Sequence, residues 1–363
     1  MSLRDLRRHA GRFVVAGFPG HSVPDDLRRM VAEFDLAGVI YFARNIGEPL
    51  QVAELSREAA ALARDWPFWI SVDQEGGRVA RLKAPFTIWP PAVTLGRGST
   101  AEVESLAVRY ATALASELKA VGINLDWTPV LDVNSNPSNP VIGDRSFSHD
   151  PEVVARVGAA VIRTLQAAGI VACGKHFPGH GDTSVDSHEA MPVIEHDRRR
   201  LDAVELVPFK AAIAAGVACM MTGHILVPAL DERAVGTFSP NIVTGLLKGT
   251  LGFPGVVASD DMGMKAVSAE TPLPEATVAA VKAGCDVVLL CNSTQDQQWE
   301  AIEALIRAAE SGEIPQKRID DAWRRQREVK ERFRTMPMAP AIGIDRIGCE
   351  QHRAVAAEMA AFQ

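Results

Sequence analysis

A single (β/α)8 TIM-type barrel of the α/β class, with a short C-terminal helical extension, is the fold this sequence predicts. Three observations predict it. Eight short, apolar, β-rich runs recur along the 363 residues, bounded by Gly, Pro or Asp. Longer stretches with apolar residues three and four apart separate them. Several of those stretches end in Ala-Gly or Val-Gly just before the next run, at 37–38, 121–122, 168–169, 215–216 and 283–284, as a helix closed by a left-handed glycine does. Strands that are apolar nearly throughout belong to a parallel sheet buried on both faces, and eight of them fit a closed barrel better than an open doubly wound sheet.

In chain order the expected strands are 12–18, 38–42, 68–73, 123–133, 171–176, 218–224, 255–260 and 285–291. The first helix, 24–34, opens on Pro-Asp-Asp, which places a proline and two acids in the turn where they suit the helix dipole. Asp150-Pro151-Glu152 starts the helix that runs to Gly169, and Ser239-Pro240 starts the one that runs to Gly252. The highly charged stretch 295–333 reads as helical. A proline-containing linker, 335–344, then leads to a last short helix near 350–361. Residues 1–335 are therefore assigned to the barrel and 336–363 to a linker and helix that do not make a separate domain.

Several function classes lose support at once. No G-x-G-x-x-G opens a helix after a strand and no G-x4-G-K-[ST] occurs, so nucleotide binding is not expected. Net charge is −7, and no basic run interleaved with aromatics offers a polyanion a local exception, so no nucleic-acid partner is expected. The N-terminal apolar run 13–18 is too short for a signal peptide and ends in Pro19-Gly20, and no run has the length of a membrane span, so a cytoplasmic protein with no membrane partner is expected. The five cysteines lack C-x-x-C spacing and four lie in strand-like runs, so they read as reduced core thiols.

A barrel of this kind carries its active site on the loops at the C-terminal ends of its strands. Polar residues gather there: Asp73 to Arg78 after the third strand, Asp126 and Asp132 on the fourth, residues 175–188 on the fifth, His224 on the sixth, and Asp260-Asp261 on the seventh. Carboxylates from separate strands on one mouth suit glycosyl transfer. They equally suit a metal-assisted hydrolase whose ligands are His176, His180, Asp182, Asp186, His188 and His224. Against the metal stands the lack of H-x-H or H-E-x-x-H spacing.

The fourteen residues KHFPGHGDTSVDSH, 175–188, closely resemble the K-H-F-P-G-H-G-x-T-x-x-D-S-H signature of the family 3 glycoside hydrolases of the β-N-acetylhexosaminidase type. DQEGGRV at 73–79, GDRSF at 143–147 and SDDM at 259–262 resemble that family's other blocks, in the same order, and the resemblance spans roughly residues 10–335. It implies Asp260 as nucleophile of a covalent glycosyl-enzyme, His188 as acid/base supported by Asp186, and Asp73, Arg81, Arg145, Lys175 and His176 as sugar contacts. It implies no cofactor and no metal. The substrate implied is a small saccharide, N-acetylglucosaminyl-1,6-anhydro-N-acetylmuramic acid and its peptides in cell-wall recycling, cleaved by a cytoplasmic monomer, with phosphate an alternative acceptor to water.

The residues themselves agree on several points. In an extended loop i and i+2 point the same way, so Asp186 can orient the imidazole of His188, whose ordinary pKa near 6.5 suits both donating and accepting a proton. Gly179 and Gly181 are expected to let the loop swing as a lid. Asp126 and Asp132 are expected to position Arg145 from behind, and Asp261 to be structural.

Overall fold

The computed structural model describes residues 3–185, 191–335 and 342–362. Its ten strands are β1 (Val14–Ala16), β2 (Gly38–Tyr41), β3 (Trp69–Val72), β4 (Gln74–Gly76), β5 (Val79–Ala80), β6 (Leu125–Asp126), β7 (Val171–Phe177), β8 (Cys219–Thr222), β9 (Val256–Asp261) and β10 (Val287–Leu290). Eight of them close a parallel barrel in the order β1-β2-β3-β6-β7-β8-β9-β10, sealed where Val14 pairs with Val288. The eight predicted runs map onto these eight strands. β4 and β5 form an antiparallel hairpin just after β3.

The strands are apolar on both sides because each side has its own core. Val15, Ile40, Trp69, Trp127, Cys173, Met221 and Leu289 fill the barrel interior, and alternate strand residues such as Val14, Val39, Ile70, Val257 and Val288 pack outward under the helices. Cys173, Cys219, Cys285 and Cys291 are buried free thiols. The interior is closed at the N-terminal end by the helix Gln316–Thr335, which inserts Val329 and Phe333. Lys330 on that helix donates to Ala37 O (2.9 Å) and lies 4.3 Å over the Trp69 ring, while Gln326 donates to Arg12 O and Asp286 O (both 2.8 Å). The last helix, Glu350–Ala360, rests on the helix Thr100–Ala120, where His352 meets Glu117 (2.8 Å) and Arg109 pairs with Glu358. No helix among the described residues is long and apolar enough to cross a membrane.

Two local departures from the expected elements matter for the site. The fourth run is paired as a strand only over Leu125–Asp126; Pro129 has no N–H to give the ladder, and beyond it the chain keeps a single bridge, Val130 to Lys175. The helix expected after Ser239-Pro240 is wound as a π-helix over Asn241–Thr250, ending with Leu251 N donating to Leu246 O at 2.8 Å.

Candidate active site

β-Bulges aim the principal side chains. In the β7–β8 ladder Gly174 pairs with Met220 but Phe177 with Thr222, so one extra residue is accommodated at Lys175-His176. In the β9–β10 ladder Ala258 pairs with Val287 but Asp261 with Leu289, which places the extra residue at Ser259-Asp260. A bulge turns a side chain away from the strict in–out alternation of a strand, and both lie at the C-terminal rim. Lys175, His176 and Asp260, so placed, line one cavity of about 140 Å³ together with Asp73, Arg81 and Arg145. Asp186 and His188 lie outside the described residues.

One wall of the cavity is a network of opposite charges. Lys175 Nζ donates to Asp73 Oδ1 (2.8 Å) and to Glu75 Oε1 (2.5 Å). Arg145 forks onto the same Glu75, Nε to Oε2 at 2.8 Å and Nη2 to Oε1 at 2.9 Å. Arg81 reaches Asp73 Oδ2 at 3.5 Å and sits 5.1 Å over the Phe42 ring. Burial alone raises the Glu75 carboxyl, but Arg145 and Lys175 overcome it and hold the group well below the usual carboxylate range. Arg81 is delivered by the hairpin, whose turn needs the positive φ of Gly76 and Gly77 and which the Gln74 amide braces by accepting from Arg81 N and Leu82 N (2.8 and 3.0 Å).

The expected role of Asp126 and Asp132 as supports of Arg145 is not what the structure has. Glu75 holds Arg145, and the two aspartates serve other partners. Asp132 accepts from His176 Nδ1 (2.7 Å), His176 N (3.2 Å) and His180 N (2.6 Å), so it pins the strand that carries the signature. Because the carboxylate accepts, His176 carries its proton on Nδ1. Asp126 accepts from Gln74 N (3.0 Å), and its Oδ2 is fully buried with no partner among the described residues. Burial pushes the Asp126 carboxyl up to about 8, with Asp73 and Glu75 adding to the rise. Counted at neutral pH, the wall holds three cations against Asp73 and Glu75, and faces the ligand as a donor-rich surface.

That shift has a sign that can be tested. Asp126 keeps its proton in the folded chain up to about pH 8, whereas an unfolded aspartate loses it near pH 3.9. Between those values the folded state binds more protons, so this group's contribution to stability falls as pH rises. In urea unfolding compared at pH 5 and pH 8, Asp126→Asn is expected to remove a decline of about 4 kcal/mol. A variant whose pH dependence matches the unmodified protein contradicts a neutral Asp126.

Opposite this wall stands Asp260, half-buried at the β9 bulge, with Oδ1 accepting from Asp261 N (2.8 Å). Burial raises its carboxyl, yet His176, His224 and the Asp261 N–H bring it below the ordinary value, so it is ionised at neutral pH. Asp261 turns the other way, as expected, accepting from Cys291 N and Asn292 Nδ2 (both 3.0 Å) and fastening β10 to β9. His224 is held from both sides, Nδ1 on Thr237 Oγ1 (2.9 Å) and Nε2 on Asp261 O (3.0 Å).

The start of the signature loop is anchored rather than free. A Cβ on Gly181 would stand 1.7 Å from Val133 O, so glycine is required there by close contact and not by swing. Asn139 Nδ2 donates to His180 O (2.8 Å), Asn136 Nδ2 to Thr183 O (3.2 Å) and Ser135 Oγ to Asp182 (2.9 Å). Of the residues considered as metal ligands, the four that are described have separate partners: His176 with Asp132, His180 with Thr183 (2.7 Å), His224 with Thr237, and Asp182 with His196. Burial lowers the His180 imidazole to about 4. Among the described residues the one group of potential ligand atoms within reach of a common ion is His9, Asp35 and Asp65, at the N-terminal end of the chain, where Arg12 already pairs with both aspartates.

Glu75, which lines the cavity and pairs with both Lys175 and Arg145, is a residue that sequence reasoning did not single out. Asp73 and Glu75 are two acids at i and i+2 in an extended segment, which places both on one side of the chain. That spacing was the available signal.

Comparison with known proteins places this arrangement in context. Residues 8–329 match the model of the glycosyl hydrolase family 3 N terminal domain. A beta-hexosaminidase of Thiobacillus denitrificans is 42% identical over 279 residues, 75% of this chain and 76% of that protein. Beta-hexosaminidase A of Pseudoalteromonas piscicida is 34% identical over 361 residues, 93% of this chain, which spans only 60% of that protein's length. A solved family 3 beta-N-acetylglucosaminidase from Paenibacillus sp. str. FPU-7 superposes with a TM-score of 0.92 at 41% identity, over 98% of this chain and 68% of that one. NagZ from Neisseria gonorrhoeae, solved in complex with N-trifluoroacetyl-D-glucosamine, superposes with a TM-score of 0.78 at 30% identity, over 96% of this chain and 97% of that one.

Proposed function

Since this chain belongs to glycosyl hydrolase family 3, we propose that it is a retaining exo-β-N-acetylglucosaminidase that removes terminal N-acetylglucosamine from N-acetylglucosaminyl-1,6-anhydro-N-acetylmuramic acid and its peptides, working in the cytoplasm in cell-wall recycling. The observation that carries the reading is the ionised Asp260 facing, across a cavity of about 140 Å³, a wall of paired Asp73, Lys175, Glu75 and Arg145. Ligand pockets for drug-sized molecules run from about 300 to 1,000 Å³, so this one has room for a single sugar. Wall donors and Asp73 hold the hydroxyl and acyl oxygens of that sugar and set its anomeric carbon before Asp260.

In the mechanism, Asp260 attacks the anomeric carbon and the glycosidic bond breaks, leaving a glycosyl ester on its carboxylate. His188, oriented by Asp186, gives its proton to the departing oxygen. The same imidazole then takes a proton from water, which attacks the ester and releases Asp260. Two inversions give net retention. No step draws on a metal or a cofactor. The anionic Asp260 supplies the nucleophile, and the pocket's fixed dipoles stabilise the oxocarbenium-like charge.

Product analysis on the anhydro-disaccharide, with and without phosphate, tests the reading. Free N-acetylglucosamine in both reactions, first seen as the β-anomer by NMR, is the expected result. N-acetylglucosamine 1-phosphate, formed only with phosphate, replaces hydrolysis by phosphorolysis, and inhibition by chelator restores the metal-dependent alternative.

A further inference from the structure

The three cations of the wall are not held alike. Lys175 makes two ion-pair contacts, at 2.8 and 2.5 Å, and Arg145 forks onto Glu75 at 2.8 and 2.9 Å, whereas Arg81 reaches Asp73 only at 3.5 Å. Arg81 Nε is buried and has no hydrogen-bond partner among the described residues. A contact of 3.5 Å lies beyond the usual range of an N–H···O bond and fixes little. The aim of this guanidinium is therefore left to the backbone that carries it. We propose that Gln74 and Asp126 are positioning residues for sugar binding, a clasp that aims Arg81 into the cavity. This rests on the exo-glycosidase reading and adds what sets one of its sugar contacts.

The clasp has two halves. Asp126, at the end of β6, accepts from Gln74 N (3.0 Å), so the barrel itself fixes the first residue of the β4–β5 hairpin. The Gln74 side chain then spans the hairpin's open end. Its Oε1 accepts from Arg81 N (2.8 Å) and Leu82 N (3.0 Å), and its Nε2 donates to Leu82 O (3.1 Å). Two N–H groups and one carbonyl need an acceptor and a donor on one side chain, which an amide has and an ionised carboxylate lacks. Gln74 is buried, so water does not replace these bonds.

The rest of the hairpin is held by other groups. Gly77 N donates to Trp89 O (2.9 Å), Trp89 meets Tyr110 edge-on with ring centres 4.9 Å apart, and Tyr110 Oη donates to Glu75 O (3.1 Å). The Leu82 side chain is seated in the core. Arg81 lies just past the last ladder pair, Gln74 with Ala80, and its own N–H is given to Gln74. Loss of the Gln74 amide therefore leaves the fold its anchors and leaves Arg81 without its guide.

A double-mutant cycle on KM for 4-nitrophenyl N-acetyl-β-D-glucosaminide tests this. Arg81→Ala is expected to raise KM about thirtyfold, the worth of a hydrogen bond from a charged group. Gln74→Met, which keeps the bulk and removes the three bonds, is expected to raise it about tenfold with kcat within threefold, the mark of lost uniform binding. In the Arg81→Ala background the same change should move KM by less than twofold, because the residue it acts through is gone. Gln74→Glu keeps both N–H bonds and loses only the one to Leu82 O, so it should raise KM about threefold and serves the cycle if Gln74→Met does not fold. Asp126→Ala should raise KM about threefold, and Asp126→Asn, which keeps an oxygen for Gln74 N, should restore it. A Gln74 effect of equal size with and without Arg81, a fall in kcat at constant KM, no effect at all, or an Asp126→Asn protein no better than Asp126→Ala overturns the clasp and leaves the glycosidase standing. If the unmodified protein does not cleave the glycoside, the glycosidase reading falls and takes the clasp with it.

Discussion

Asp260→Asn is expected to cut turnover of 4-nitrophenyl N-acetyl-β-D-glucosaminide by about 10⁴-fold or more, the scale on which loss of a nucleophile acts. The amide is isosteric, so the 140 Å³ cavity and the Asp73–Lys175–Glu75–Arg145 wall should persist and N-acetylglucosamine should still bind. What is lost is the anion whose charge His176 and His224 favour. A second variant separates chemistry from structure. Asp260→Gly leaves room for a small anion on the face the carboxylate had occupied, and azide should attack there once, giving the α-glycosyl azide. Formation of the β-azide, or an Asp260→Asn protein that turns over within tenfold of the original, refutes the assignment.

His188→Ala should divide substrates by leaving group. General acid catalysis is worth about 10²–10⁴-fold where the departing oxygen needs a proton. Chitobiose, an alcohol leaving group, should slow by about that factor. The 4-nitrophenyl glycoside needs little protonation to leave, so its first step should be nearly unchanged, with hydrolysis of the glycosyl ester becoming slow and a burst of nitrophenol appearing before the steady state. Asp186→Asn should show the same pattern more weakly, because it removes only the group that orients the imidazole. Equal slowing of both substrates, with no burst, removes His188 from the role of acid.

The barrel was legible because strands buried on both faces have no polar alternation to hide them, and because glycine ends the helices before them. The run 123–133 was overextended for a local reason: its residues are as apolar as a strand's, but Pro129 stops the ladder. Asp73, Lys175, His176 and Asp260 were legible from their place at strand ends. The partners of Asp132 and Arg145 were not. Glu75 meets Arg145 across 70 residues and Asp132 meets His176 across 44, and both pairings depend on how the barrel brings neighbouring loops together. Equally hidden were the bulges, since a one-residue slip between two strands leaves no mark in either one's composition. Gly181 shows the opposite error, where a residue that does permit freedom is present because a backbone oxygen leaves no room for anything larger.

The seam that closes the barrel has a consequence for how the chain is made. Val14 must pair with Val288, and the plug beneath them is supplied by Val329, Lys330 and Phe333, with Gln326 reaching back to Arg12 O. During synthesis, β1 and the apolar inner faces of β2 and β3 therefore wait for residues 287–333 to emerge before they are covered. Contacts of such long sequence separation are slow to form and leave sticky strand edges open meanwhile. A chain cut before Gln316 is therefore expected to leave its N-terminal strands uncovered and prone to aggregate.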